Sequence, residues 1–279
     1  MRVMYLNCGI MRPRGAGIIV PRLARVPCLC LLMECGNMLV LVDAGLGKGD
    51  IEEPSRLGAS NAVLNAQRDI LHTAAGQVKA RGFEPEQVTD IICTHLDRDH
   101  AGGISDFPEA RVHVMADELS AALHPSCHRE RERYRRCHFA HHPRWVAHQR
   151  TGADVWLGLE RLGGIPGLPP GVSLVPLPGH TRGHCGVAVE TGEGWLLHCG
   201  DAFYVGEELE GNSKVPAGVR AFRRLAHMDH RQALLQLFSL SRALEEGAGA
   251  LKLICSHDSA LEQELTSRAG NGIANPGAR

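Results

Sequence analysis

The chain has 279 residues, a net charge of −1 and 44% hydrophobic residues, with few aromatics. That size allows a substantial core in one large domain or two small ones. The near-neutral charge, with a pI near 7, argues against nucleic acid or an anionic membrane surface as a partner. No apolar run reaches the ~18 residues that a membrane span requires.

At the N-terminus the apolar stretch Cys8 to Ile10 is followed at once by Arg12 and Arg14, too soon for a signal-peptide apolar region. Of the ten cysteines, Cys93, Cys199 and Cys255 lie in apolar runs, and the C-x-C pair Cys28 and Cys30 would alternate faces on a strand. Most therefore read as reduced, buried, small apolar residues. The expected location is cytoplasmic, and a disulfide framework is not expected.

Val3 to Leu6 reads as a short strand, followed by a Gly/Pro/Arg loop through Val20. Cys28–Glu34 and Met38–Val42, separated by Gly36-Asn37, predict a β-hairpin whose second strand ends at Asp43. From Ser60 to Arg81 the apolar residues recur at helical spacing, with Gly82 as the stop. A strand over Asp90–Cys93 then runs into Thr94-His95-Leu96-Asp97-Arg98-Asp99-His100-Ala101-Gly102-Gly103. Gly102 and Gly103 would allow a close approach of backbone to this loop. Arg111–Met115 alternates like a strand, and Asp117 is a candidate N-cap for a helix to Leu123.

Between Arg111 and Arg150 there are eight arginines and seven histidines against four acids. A charge-rich stretch of this kind reads as a solvated helical insertion, placed at about 117–162 within one domain spanning 1–279. The sharper readings are a contact with substrate or partner, or another metal site. The spacing of Cys127 and Cys137 matches no zinc-finger pattern.

Strands resume at Val172–Leu177, Val187–Glu190 and Trp195–His198, with loops carrying His180, His184 and Asp201. Asp229–Glu246 reads as a helix with Leu234, Leu235, Phe238 and Leu244 on one side. Leu251–Cys255 is a last strand, running into Ser256-His257-Asp258, and the tail after Arg268 should fray. Ile91 to His95 and Leu253 to His257 share one shape: strand, hydroxyl, histidine. Strands alternating with helices predict a layered α/β architecture, with both histidines at strand C-termini along one edge.

Four loops thus end strands with imidazole or carboxylate, the ligand types of zinc and of other transition metals. Asp43, the HLDRDH run, Pro178-Gly179-His180, Gly200-Asp201-Ala202 and Ser256-His257-Asp258, in this order, resemble the metallo-β-lactamase superfamily. The resemblance implies an αββα sandwich with two divalent metal ions, zinc first. His95, Asp97 and His180 would form one site. Asp99, His100 and His257 would form the other, with Asp201 bridging. Asp43 would brace the site, and His184 would orient a ligand or its loop. Asp97 departs from the pattern, because the family motif usually has histidine there; the added hard oxygen admits manganese or iron, and loss of the first site, leaving a single ion, is the alternative.

The implied reaction is hydrolysis of a small molecule by a hydroxide that the metals generate, with Asp99 passing a proton to the leaving group. Tyr204 lies three residues after Asp201, as in the N-acyl-homoserine-lactonase-like branch, where it hydrogen-bonds the substrate carbonyl; its alternative role is packing. The leading expectation is a lactone or related carboxylic ester. The alternatives are a glyoxalase II-like thioesterase, a phosphodiesterase, or a metal-binding or sensing module without turnover. Oligomeric state stays open, a homodimer among the options.

Overall fold

In the computed structural model, which describes residues 1–16, 23–211 and 215–270, the chain begins with an antiparallel meander of β1 (Arg2–Met11), β2 (Val26–Cys35) and β3 (Met38–Val42). Gly36, with φ +60°, makes the turn between β2 and β3 as the hairpin reading requires. The first strand is longer than expected because it pairs with β2 over its length, across one irregularity between Asn7 and Ile10. Residues 17–20 of the predicted loop and the predicted frayed tail 271–279 lie outside the described residues.

The single helix expected over 60–81 is instead three short pieces. After α1 (Lys48–Glu52), α2 (Asn61–Leu64) closes on Asn65 in the left-handed region, and Ala66 then bridges to Met11. A 3-10 turn follows at Ile70–His72. Thr73 starts α3 (Ala74–Ala80) by accepting from the Gly76 amide. Val63 and Leu71, counted as helix-face residues, are exposed, whereas Ala74, Ala75 and Val78 are buried.

Parallel additions extend the sheet through β4 (Val88–Ile92), then α4 (Arg98–Ala101), then β5 (Arg111–Met115). Gly102 and Gly103 follow α4 and pack on the Ala44–Gly47 backbone. α5 (Ala116–Leu123) starts one residue before Asp117, with Met115 at the cap and Asp117 in the first turn. The segment read as a helical insertion is mixed: α6 (His128–Arg133) is brief, and β6 (Arg144–His148) then pairs in parallel with β5 as the sixth strand. Composition alone concealed the half-buried pattern of Arg144–His148. A small hairpin of β7 (Asp154–Trp156) and β8 (Leu159–Arg161) follows.

The second sheet holds β9 (Val172–Pro176), β10 (Cys185–Thr191) and β11 (Gly194–His198). Then come α7 (Ala217–Ala226), α8 (His230–Glu246), β12 (Leu251–Ile254), parallel to β11, and α9 (Ser259–Gly270). Leu29, Leu31, Val40, Val42 and Ile92 from the first sheet meet Leu174, Val187, Val189 and Ile254 from the second in one inter-sheet core. The alternate residues Leu32, Leu41 and Ile91 face outward onto α3 and α5. Val175, Ala188 and Leu197 face α8 on the other side. The layers are helix, sheet, sheet, helix, as the α/β reading requires. No helix among the described residues is long and apolar enough to cross a membrane.

α8 is capped by Asp229, whose side chain accepts from the Gln232 amide, as read. Its buried face is not the predicted one: Ala233, Leu237, Leu240 and Ala243 are buried, while Leu234, Leu235 and Phe238 are exposed. Leu240→Ala should therefore cost about 2–5 kcal/mol, and Phe238→Ala less than about 0.5 kcal/mol, by denaturant unfolding. Equal losses would overturn this assignment of faces.

Candidate metal centre

All four ligand-type loops leave strand C-termini and meet at one edge between the two sheets. The turn from β4 into α4 supplies His95, Asp97, Asp99 and His100. His180 follows β9, Asp201 follows β11, and His257 follows β12. The Asp201 carboxylate lies at the middle. Its Oδ2 is 3.5 Å from His180 Nε2 and 3.2 Å from His257 Nε2, and its Oδ1 is 3.3 Å from His100 Nε2. On one side Asp97 Oδ2 is 3.4 Å from His95 Nε2 and 3.1 Å from His180 Nε2. On the other, Asp99 Oδ2 is 3.6 Å from His257 Nε2 and 3.9 Å from His100 Nε2. All seven predicted ligand-type residues are brought together.

The donor atoms fit a cation. His95 Nε2, His100 Nε2, Asp97 Oδ1 and Asp201 Oδ1 are buried without a hydrogen-bond partner, and leaving such atoms unsatisfied costs about 1–3 kcal/mol each. Three donors at a time lie within 4.8 Å of one another: His95, Asp97 and His180; His95, His100 and Asp201; Cys28, Asp99 and His257. Cys28, on β2, was read only as a packing residue.

Residues 23–244 match the family model described as metallo-beta-lactamase superfamily. The chain belongs to the metallo-beta-lactamase superfamily. A protein of Mycobacterium tuberculosis named as a probable metallo-hydrolase is 40% identical over 263 residues, covering 94% of this chain and 82% of that protein. An N-acyl homoserine lactonase of Bacillus thuringiensis is 29% identical over 197 residues, 68% of this chain and 69% of its own. Among solved structures, an N-acyl homoserine lactone hydrolase with N-hexanoyl-L-homoserine at its catalytic metal centre matches with TM-score 0.70 at 23% identity, covering 94% of this chain and 95% of its own. At that identity the likeness speaks for the fold. The protein is thus a metallo-hydrolase of this superfamily.

Its ligand loops are held by buried carboxylates. Asp43, at φ +59°, accepts from the Thr94 amide and hydroxyl, each at 2.8 Å, and its Oδ2 lies 2.9 Å from His100 Nδ1. Thr94 Oγ1 is in turn 3.0 Å from His95 Nδ1. Asp43 is a non-glycine residue in the left-handed region, a strain tolerated where the surroundings over-determine it. His184 bonds Leu177 O through Nδ1 at 2.9 Å and accepts from the Asp201 amide through Nε2 at 3.0 Å, so it holds the loop of the central carboxylate. Burial pushes its imidazole down to about 3, which keeps Nε2 an acceptor. Gly200 crosses so close that a Cβ there would lie 2.5 Å from His184 Nε2.

Burial works against ionisation of Asp201, yet His257, His100 and His180 hold it well below the usual carboxylate range. Likewise burial opposes the His100 imidazolium, but the Asp201 and Asp43 carboxylates hold its pKa well above the usual range. His180 is pushed well below it by burial and by the Arg133 guanidinium. Tyr204 is buried with its hydroxyl 3.2 Å from His180 Nδ1. Burial and the nearby Asp201 raise its phenol well above the ordinary value, so it stays protonated.

Three further residues of the site are not singled out individually by the sequence, although Arg133 falls in the basic segment whose sharper reading is a contact with substrate, partner or metal. Arg133, at the end of α6, reaches Asp97 and His180. His227, after α7, places Nδ1 3.1 Å from His180 Nδ1. Glu118, on α5, accepts from the Leu96 amide at 2.9 Å, the Thr181 hydroxyl at 2.7 Å and the Gly183 amide at 3.1 Å. Glu118 thereby ties the His95 loop to the His180 loop. Glu118→Gln keeps the shape but turns one acceptor into a donor facing donors. It should destabilise the fold by about 1–3 kcal/mol, read by thermal and urea unfolding; unchanged stability would remove this linking role.

Proposed function

We propose that this enzyme hydrolyses a small lactone or related carboxylic ester carrying an apolar chain, with zinc as the ion at its centre. The observation that carries this reading is a cavity of about 670 Å³ that opens on Asp97, Asp99, His180, Asp201, Tyr204 and His257 and is walled by Met11, Leu23, Val26, Leu64 and Phe222. A polar floor beside an apolar wall suits a carbonyl group joined to an acyl chain. The N-acyl homoserine lactonase relatives point to the same substrate class.

Imidazole and carboxylate together form a zinc-type donor set, contributed here by His95, Asp97, Asp99, His100, His180, Asp201 and His257. Such an ion, when bound, supplies Lewis acidity and a water acidic enough to attack at neutral pH. The chain does the rest. Asp99 lines the cavity with a carboxylate oxygen toward His257 and hands a proton to the leaving alcohol. Tyr204, a protonated phenol on the cavity wall, turns its hydroxyl from His180 to the substrate carbonyl. The ten cysteines are all unpaired thiols, which suits a reducing, cytoplasmic setting.

A panel of lactones, carboxylic esters, thioesters and phosphodiesters, assayed before and after chelation, tests this reading. Lactone or ester turnover should disappear with chelation and return with zinc; turnover confined to thioesters or phosphodiesters would overturn it. Asp99→Asn should lower the metal-normalised rate by about 10²–10⁴-fold, and a rate equal to wild type would remove the proton-transfer role. Tyr204→Phe should slow lactones by the equivalent of about 1–3 kcal/mol. An unchanged lactone rate would return Tyr204 to a packing role.

A further inference from the structure

The seven ligand-type side chains are not equally available. Around His100, Asp99 and His257 the Nε2 of His100 has no hydrogen-bond partner among the described residues and lies near the carboxylates of Asp99 and Asp201, at 3.9 and 3.3 Å. Around Asp97 and His180 the position is taken. Arg133 Nη1 lies 2.5 Å from Asp97 Oδ2 and 2.8 Å from His180 Nε2, and its Nη2 donates to Ala226 O.

We propose that the Arg133 guanidinium is a built-in cation at the Asp97–His180 position, so that the centre binds one divalent ion, held by Asp99, His100, Asp201 and His257. This rests on the reading of the centre as a metal site.

Three features carry the proposal. First, Nη1 engages two of the atoms that a cation there would use, the Nε2 lone pair of His180 and Oδ2 of Asp97, and leaves His95 Nε2 as the third donor of that position. His180 Nδ1 faces Tyr204 and His227, so both ring nitrogens of His180 have partners. Second, the charges balance. Of the carboxylates that face the centre, Asp97, Asp99 and Asp201 bring three negative charges, and one dication with one guanidinium brings three positive; Asp43 lies behind, on Nδ1 of His100. A second dication beside an arginine would leave an excess in a buried space, where unpaired charge is costly. Third, the residue at 97 and the arginine explain one another. A neutral imidazole at 97 would give a buried guanidinium no counter-charge, whereas a carboxylate gives it a charge-assisted hydrogen bond. Arg133 is anchored as well, since its side chain is 13% exposed and its second nitrogen is fixed on the end of α7.

The test is metal stoichiometry. Wild type and Arg133→Met are equilibrated with excess zinc, desalted, and measured by elemental analysis per folded chain. Wild type should hold one ion and Arg133→Met two, because methionine removes the charge while keeping a long apolar stem. Two ions in wild type, or one in folded Arg133→Met, would overturn the proposal. No ion in wild type would instead overturn the reading of the centre as a metal site. Should Arg133→Met fail to fold, cobalt-loaded wild type decides: the paramagnetic resonance of an isolated ion is expected, and that of a coupled pair would overturn the proposal.

Discussion

The two sheets drive three carboxylates, Asp97, Asp99 and Asp201, into one confined edge, and the organisation around them is a response to that charge. Asp201 is nearly buried, within 3.2–3.5 Å of three imidazoles. Concentrating anions in this way is unfavourable unless cations or donors answer them. The chain supplies part of the answer: His100 and His257 are held toward the imidazolium form against burial by the Asp201 carboxylate. Arg133 answers Asp97. What remains are buried Nε2 and carboxylate atoms without partners, donor atoms of the kind that could hold a metal ion.

Such a centre needs its ligands fixed before the ion arrives, because flexible ligands lose precision. The bracing is done by groups that never face the cavity. Asp43 ends β3 and reaches across to β4, holding Thr94 and His100 at once and His95 through Thr94. Glu118 joins the first and second ligand loops, those of His95 and His180. Glu208 accepts from the Tyr204 and Val205 amides and is itself paired with the buried Arg223, which fixes the loop after Asp201. The Asp43 and Glu118 braces span elements distant in sequence, so the ligand geometry depends on the whole sandwich.

That dependence sets what was legible in the sequence. The ligand-type residues could be read because each follows a strand, and strand ends are marked by the change from an apolar run to polar residues. The echo between Ile91–His95 and Leu253–His257 reflects a shared structural role, since β4 and β12 both join a parallel neighbour. Periodicity failed where apolar residues line a cavity or stay exposed in place of a helix face. Residues 60–81 kept helical spacing, yet Asn65 broke the run and Val63 and Leu64 became cavity wall. On α8, leucines and a phenylalanine at plausible spacing pointed outward, while two alanines shared the buried face. The basic segment was opaque for another reason: charge composition cannot tell a solvated arginine from one that enters a buried site.

α6 resolves that ambiguity in physical terms. Arg129 and Arg133 are four residues apart, one helical turn, and so project from one face. Arg129 donates to the Leu225 and His227 carbonyls, at 2.9 and 3.0 Å, and Arg133 donates to Ala226 O. Together they satisfy consecutive carbonyls at the C-terminus of α7, where cationic donors are favoured by the helix dipole. Phe222 and Leu225 on that same helix line the cavity. The segment that looks like a solvated insertion therefore positions the apolar wall with one end of Arg133 and neutralises Asp97 with the other. One side chain thus ties the helix that carries the apolar wall to the carboxylate at the acidic edge, so the two parts of the cavity share a single anchor.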